Sequence, residues 1–244
     1  MLTSPGPLAC FRVCTFDKME NGDESPMPPS LRATLHLPAM YGDAFMESLG
    51  IHTGPFTCTS SKHSRLAKPF VTAPYARIHV INVVLSNDSD ELPISCLICI
   101  RNKTFLSYVN KAEYQSIPWD DWGPSQTHWI FGGTGSHWLR YVHGERLVRL
   151  SSDYDGSGVL EIYDFGAPRG PPSWLDPRID DLGQALILRL DTIFKSPVLF
   201  HLPCRLMTKK EPLPYAGFMI DEDRLIGLKV WDGYVTPVTP TKQL

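Results

Sequence analysis

The chain has 244 residues, 43% of them hydrophobic and 20% charged, which suits one folded domain with a sizeable core. A net charge of −3 supplies no basic field for a phosphate backbone, so nucleic acid is not an expected partner. Its 22 prolines, against an ordinary share of about 5%, call for many loops and few long helices, since each removes a backbone donor and fixes φ.

No stretch approaches the ~20 apolar residues of a membrane helix, so no membrane contact is expected. Met1 to Phe16 lacks a basic start followed by a clean apolar run, and Pro5 and Pro7 interrupt it. Six cysteines are sparse for a disulfide scaffold of this length. The expected compartment is the cytoplasm or nucleus, where the sequons at Asn87 and Asn102 carry no meaning.

Cys10 to Phe16 reads either as one strand or as an unstructured end. Asp17 to Ser30 mixes charges with Gly22, Pro26, Pro28 and Pro29, so residues 1–30 are expected to be a flexible segment. Residues 31–233 form the expected folded domain, and 234–244 a flexible tail. Within the domain the pattern is one of short strands: Thr34 to Leu37, Arg77 to Leu85, and Ile94 to Ile100. The turn Arg101-Asn102-Lys103 then leads into a strand at Thr104 to Val109. Trp138 to Val142 runs through His143-Gly144-Glu145 into Arg146 to Leu150, and Val159 to Phe165 follows. Ile179, Leu182, Leu186, Leu190 and Ile193 fit helical spacing, but Gly183 and the β-rich surroundings favour strand. Val198 to Leu206 is a further strand. The last hairpin runs from Phe218 to Ile220, through Asp221-Glu222-Asp223, to Leu225 to Val230.

Two patterns point to the fold class. The hairpin turns near residues 102, 144 and 222 are separated by 42 and 78 positions, close to one and two periods of a four-stranded propeller blade of about 40 to 45 residues. Ile94 to Ile100, Val198-Leu199-Phe200 and Leu225-Ile226 show no strict alternation, which requires sheets covered on both faces. The expectation is an all-β, β-propeller-like domain of about four to five WD-repeat-sized blades. A β-sandwich is the runner-up, although it would leave one face of most strands polar.

Candidate chemistry dissolves under inspection. Cys96 and Cys99 have the spacing of a zinc half-site, but residues three apart on a strand point to opposite faces. Gly132-Gly133-Thr134-Gly135-Ser136-His137 lacks the lysine of a phosphate loop and leads into a strand. Asp153, Asp155 and Gly156 resemble a calcium loop without its terminal acidic ligand. The eight histidines are scattered, and no nucleophile motif occurs. No catalytic, cofactor-binding or metal residue is assigned, and the expected role is non-enzymatic. The candidate interaction surface is the tryptophan-rich stretch: Trp119, Asp120, Asp121, Trp122, His128 and Trp129, with Trp138 beyond it. Indoles supply large contact area with a polar rim, so they serve a protein interface, or a carbohydrate or small-ligand platform, equally well. The competing reading is that the same rings wedge between neighbouring sheets.

The run Ile117-Pro118-Trp119-Asp120-Asp121-Trp122-Gly123-Pro124, continued by Thr127 and Trp129, resembles a segment of basidiomycete F-box-type proteins. Similar pieces occur in the same order: His52 to Phe56, Ala76 to Val80, Leu106 to Val109, Tyr163 to Phe165, and Met219 to Gly227. The resemblance implies a fungal substrate-recognition half of a ubiquitin-ligase receptor, with an unidentified protein as partner. In that family an N-terminal helical F-box docks the ligase adaptor. The residues before Leu31 do not form such a unit, so adaptor docking is not expected of this chain.

Overall fold

The computed structural model describes residues 9–15, 28–54, 74–88, 93–132, 141–152, 158–166, 179–181, 186–188, 190–210, 217–221, 224–231 and 234–238. The first strands are β1 (Cys10–Thr15), β2 (Ser30–His36), β3 (Ala44–Thr53), β4 (Ile78–Asn87) and β5 (Ile94–Arg101). Helix α1 (Asn102–Val109), β6 (Gln115–Ile117), helix α2 (Trp119–Gln126) and β7 (Thr127–Phe131) follow. Then come β8 (Val142–His143), β9 (Arg146–Ser152), β10 (Gly158–Asp164), β11 (Ile179–Asp181), β12 (Leu186–Leu188), β13 (Val198–Phe200) and β14 (Arg205–Lys210). The chain closes with β15 (Gly217–Ile220), β16 (Leu225–Trp231) and β17 (Tyr234–Val238).

The protein is all-β, in several open sheets. The first sheet has the order β1-β2-β6, the second β3-β4-β5-β7, the third β11-β14-β10-β9-β8 and the fourth β15-β16-β17. β12 and β13 form a separate two-stranded ribbon, and Val198 and Phe200 of β13 pack into the core beside α2 and β7. Neighbouring strands are antiparallel except β2 and β6.

Three apolar layers join these sheets in series. One lies between the first and second sheets: Ala33 and Leu35 of β2 face Ile81 and Val83 of β4, with Cys96, Ile98 and Ile100 of β5. A second lies between the second and third sheets: Val80, Leu97, Cys99 and Ile130 meet Val142, Leu147 and Tyr163. The last lies between the third and fourth, where Val148, Leu160 and Ile162 meet Phe218 and Ile220. Adjacent residues therefore enter different layers: Cys96 and Leu97, Trp129 and Ile130, Leu147 and Val148. The period-two alternation of a strand allows this only when both faces of the sheet are covered. Cys96 and Cys99 accordingly point into different layers, as their spacing requires. Val198-Leu199-Phe200 departs from the pattern, because Leu199 is 44% exposed.

One expected strand is a helix. Thr104 to Val109 belongs to α1, and the presumed turn Arg101-Asn102-Lys103 is the end of β5 followed by the helix start. The Asn102 N–H binds the Arg77 carbonyl at 2.7 Å, which turns the chain off the sheet. Phe105, Tyr108 and Val109 then pack on the first apolar layer, while Leu106 is exposed. Spacings of three and four place those residues on one face of a helix, whereas a strand would split them. With no hairpin at 102, the repeat period loses its first marker. The turn at 144 stands, with Gly144 at φ +58°. Glu222 and Asp223 of the last expected turn lie outside the described residues, while the flanking β15 and β16 pair and the Asp221 carboxylate accepts a bond from the Arg224 N–H at 2.8 Å.

The segment bounds also shift. β1 lies inside the stretch expected to be flexible, and it pairs from Cys10↔His36 to Thr15↔Ser30. At the other end β17 occupies 234–238 of the expected tail and pairs with β16. The ambiguous region around residue 185 contributes strands β11 and β12. Trp138, most of the glycine-rich loop and Asp153 to Gly156 lie outside the described residues. No described helix is long and apolar enough to cross a membrane.

Candidate functional site

The tryptophan-rich stretch folds as α2 and β7. Trp119 and Trp122 are three residues apart and share the inward face of α2, while Asp120 and Asp121 lie exposed in its first turn, where carboxylates favour the helix dipole. Trp122 is 1% exposed, and its indole N–H donates to the His36 carbonyl at 2.9 Å. Trp119 packs edge-on against Trp122 (centroids 5.2 Å apart) and Trp129 (5.9 Å). Gly123 makes room for this, since a Cβ there would lie 2.3 Å from the Trp119 ring. The three indoles expected at a surface therefore form an interior cluster between the first two sheets. Of the candidate surface residues, only Asp120 and Asp121 reach solvent.

His128 is also interior, on the other side of β7. Its ring meets Tyr163, Phe165 and Phe200 at 5.4 to 6.1 Å, and Nδ1 faces the Leu202 carbonyl at 3.2 Å. Burial pulls its pKa down to about 4, against the opposing pull of the Leu202 bond, so the ring is neutral near pH 7. Cys204 Sγ lies 3.7 Å from Nε2. Sequence spacing gave no hint of this pair, which is 76 positions apart. Both side chains are sealed from solvent, so no substrate reaches them in this state. Among the described residues no group of three or more His, Cys, Asp or Glu could hold a metal.

The open site lies elsewhere, where the ends of the second and third sheets meet. A cleft of about 220 Å³ is lined by Tyr75, Arg101, Lys103, Glu145, Phe165 and Gly166. Four chain segments supply them: the 3-10 turn at Pro74–Ala76, the β5–α1 junction, the β8–β9 turn, and the end of β10. The backbone locks these pieces together, with Ile78 N–H on the Gly144 carbonyl and Phe165 N–H on the Glu145 carbonyl, both at 2.9 Å. The Arg101 guanidinium donates through Nη2 to the Phe165 carbonyl, which fixes its plane at the cleft edge. Its Nε is buried without a partner. Glu145 is pushed up from the ordinary carboxyl value, first by burial, with Arg101 and Lys103 pulling the other way. No contact ion pair joins Glu145 to either cation among the described residues. Sequence reasoning missed this cleft because no local motif holds it; the available signal was limited to the Gly144-Glu145 turn.

No family model matches the chain, and neither does any curated protein or solved structure.

Proposed function

We propose that this chain is a non-enzymatic protein-interaction domain of β-propeller type, the substrate-recognition part of an F-box-type ubiquitin-ligase receptor. The observation that carries the reading is the serial stacking of four sheets through three apolar layers, because blades around an axis are covered on both faces in this manner. The ordered resemblance of the segments from His52 to Gly227 supports the ligase part. Strand β3 supports the interaction part. It forms an edge of the second sheet, and Leu49 and Ile51 sit opposite Val83 and Ile81, so they share the face of the core. They are nevertheless 48% and 58% exposed. An apolar strand at a sheet edge suits an extended segment of a partner protein.

The test fuses the chain behind an intact F-box and measures two outputs: co-purification of the ligase adaptor, and ubiquitylation of captured proteins in cells. Both are expected of the fusion. Leu49→Glu with Ile51→Glu should abolish substrate ubiquitylation while leaving adaptor binding and the melting temperature unchanged. Adaptor binding without any ubiquitylation that depends on the fused chain would sink the ligase reading.

A further inference from the structure

We propose that the cleft between the ends of the second and third sheets binds a small zwitterion of the α-amino-acid class. Its carboxylate would meet Arg101 and Lys103, its ammonium Glu145, and its side chain the ring of Tyr75. The inference is independent of the ubiquitin reading.

Size sets the first limit. A cleft of about 220 Å³ lies below the roughly 300–1,000 Å³ of sites for drug-sized ligands, so the occupant is small. Charge sets the second. Arg101 ends β5, Lys103 stands in the first turn of α1, and no acidic side chain occupies that turn. The helix start adds its own partial positive charge to the two cations. Glu145 lines the same cleft but closes no contact pair with either of them. Opposite charges held apart in one partly desolvated cleft are complementary to a ligand carrying both charges in the reverse sense. A simple anion would be repelled by Glu145, and a simple amine by Arg101 and Lys103. A zwitterion satisfies both ends.

The arrangement is also held in place before any ligand arrives. The Phe165 carbonyl holds one arm of Arg101, and the Phe165 N–H holds the Glu145 backbone. Gly166 gives the Glu145 carboxyl its place, since a Cβ at 166 would lie 2.6 Å from Oε2 and 3.0 Å from Cδ. Phe165 is 1% exposed and belongs to the floor, while Tyr75 is 62% exposed and stands at the rim. A flat apolar side chain therefore finds the adaptable Tyr75 ring above a fixed floor. Preorganisation of this kind reduces the ordering cost of binding.

The test titrates the full chain, by calorimetry and by NMR, with three molecules that share one ring: phenylalanine, 3-phenylpropanoate and 2-phenylethylamine. Phenylalanine is expected to bind, and each single-charge analogue to bind at least about tenfold more weakly. Glu145→Gln should weaken phenylalanine by about tenfold without weakening 3-phenylpropanoate. Lys103→Ala should weaken phenylalanine and 3-phenylpropanoate together, without weakening 2-phenylethylamine. Lys103 is exposed on α1, so its variant should melt with the wild type. The proposal is overturned if an analogue binds within about threefold of phenylalanine, or if phenylalanine fails to bind a chain that unfolds cooperatively.

Discussion

Trp122 and Trp129 offer a matched pair of substitutions that tests whether the indole cluster acts through packing and internal hydrogen bonds. Both are buried, at 1% and 4% exposure, and both belong to the apolar layer between the first two sheets. Their N–H groups differ. Trp122 Nε1 donates to the His36 carbonyl at 2.9 Å, whereas Trp129 Nε1 is buried without a partner. Replacing each by Phe contracts the ring by the same amount, so the packing loss is similar and largely cancels in the comparison. At 122 the change removes a bond and strands a carbonyl, at a cost of about 1–3 kcal/mol. At 129 it removes an unsatisfied donor, which offsets part of the lost packing. Trp122→Phe should therefore be the more destabilising by about 2 kcal/mol or more, read as a difference in urea midpoint at constant m-value. In thermal unfolding that is roughly 4–8 °C for a domain of this size. Equal losses at the two sites would refute the assignment of the Trp122 bond. Loss of ligand or partner binding by either variant at unchanged stability would restore the surface-platform reading of the cluster.

His128 makes stability pH-dependent with a definite sign. Its folded pKa of about 4 lies below the free value of 6.5, so the unfolded chain takes up the proton first. Its contribution is complete above about pH 6.5 and is lost as pH falls toward 4, with about 2 kcal/mol gone by pH 5. His79, also lowered mainly by burial, acts with the same sign, so His128→Phe should flatten but not erase the fall in urea midpoint between pH 7 and 5. Gly123→Ala in an exposed helix would gain about 1 kcal/mol, but here the new Cβ meets Trp119 at 2.3 Å, so a loss of about 1–3 kcal/mol and an altered near-UV circular dichroism are expected. Arg149 binds Glu161 at 2.5 Å and the Phe131 and Gly132 carbonyls at 3.1 and 2.6 Å, which ties the third sheet to the end of β7. Arg149→Met should cost about 3 kcal/mol, and adding Glu161→Gln should recover part of that loss in a double-mutant cycle of unfolding free energies.

Sequence patterns were informative wherever one residue type had one physical use. Gly144 marks its turn because positive φ favours glycine, and Asp221 marks another because its carboxylate reaches a backbone N–H three residues on. Ile94 to Ile100 announces two covered faces because it has no polar side to turn toward water. Reading failed where residues have two uses. Asn102 and Lys103 serve a hairpin turn or a helix start equally well, and only the spacing of Phe105, Tyr108 and Val109 separates the two. Indoles suit an interface or a core, and composition alone does not choose. Spacing did hold the answer: Trp119 and Trp122 fall on one side of a helix turn, Asp120 and Asp121 on the other.

The cleft was illegible for a different reason, which also explains its place in the fold. In a stack whose sheets are apolar on both faces, a polar group on a strand interior would need a buried partner, as Glu161 finds in Arg149, Ser151 and Tyr163. Charges that close no contact ion pair among the described residues, such as Glu145 and Lys103, are tolerable only where strands end and water enters. Those ends come from segments far apart in the chain, and only the stacking of the second sheet on the third brings them together. Sheet order therefore decides which loop ends meet, and the loop ends carry the chemistry that the strands exclude.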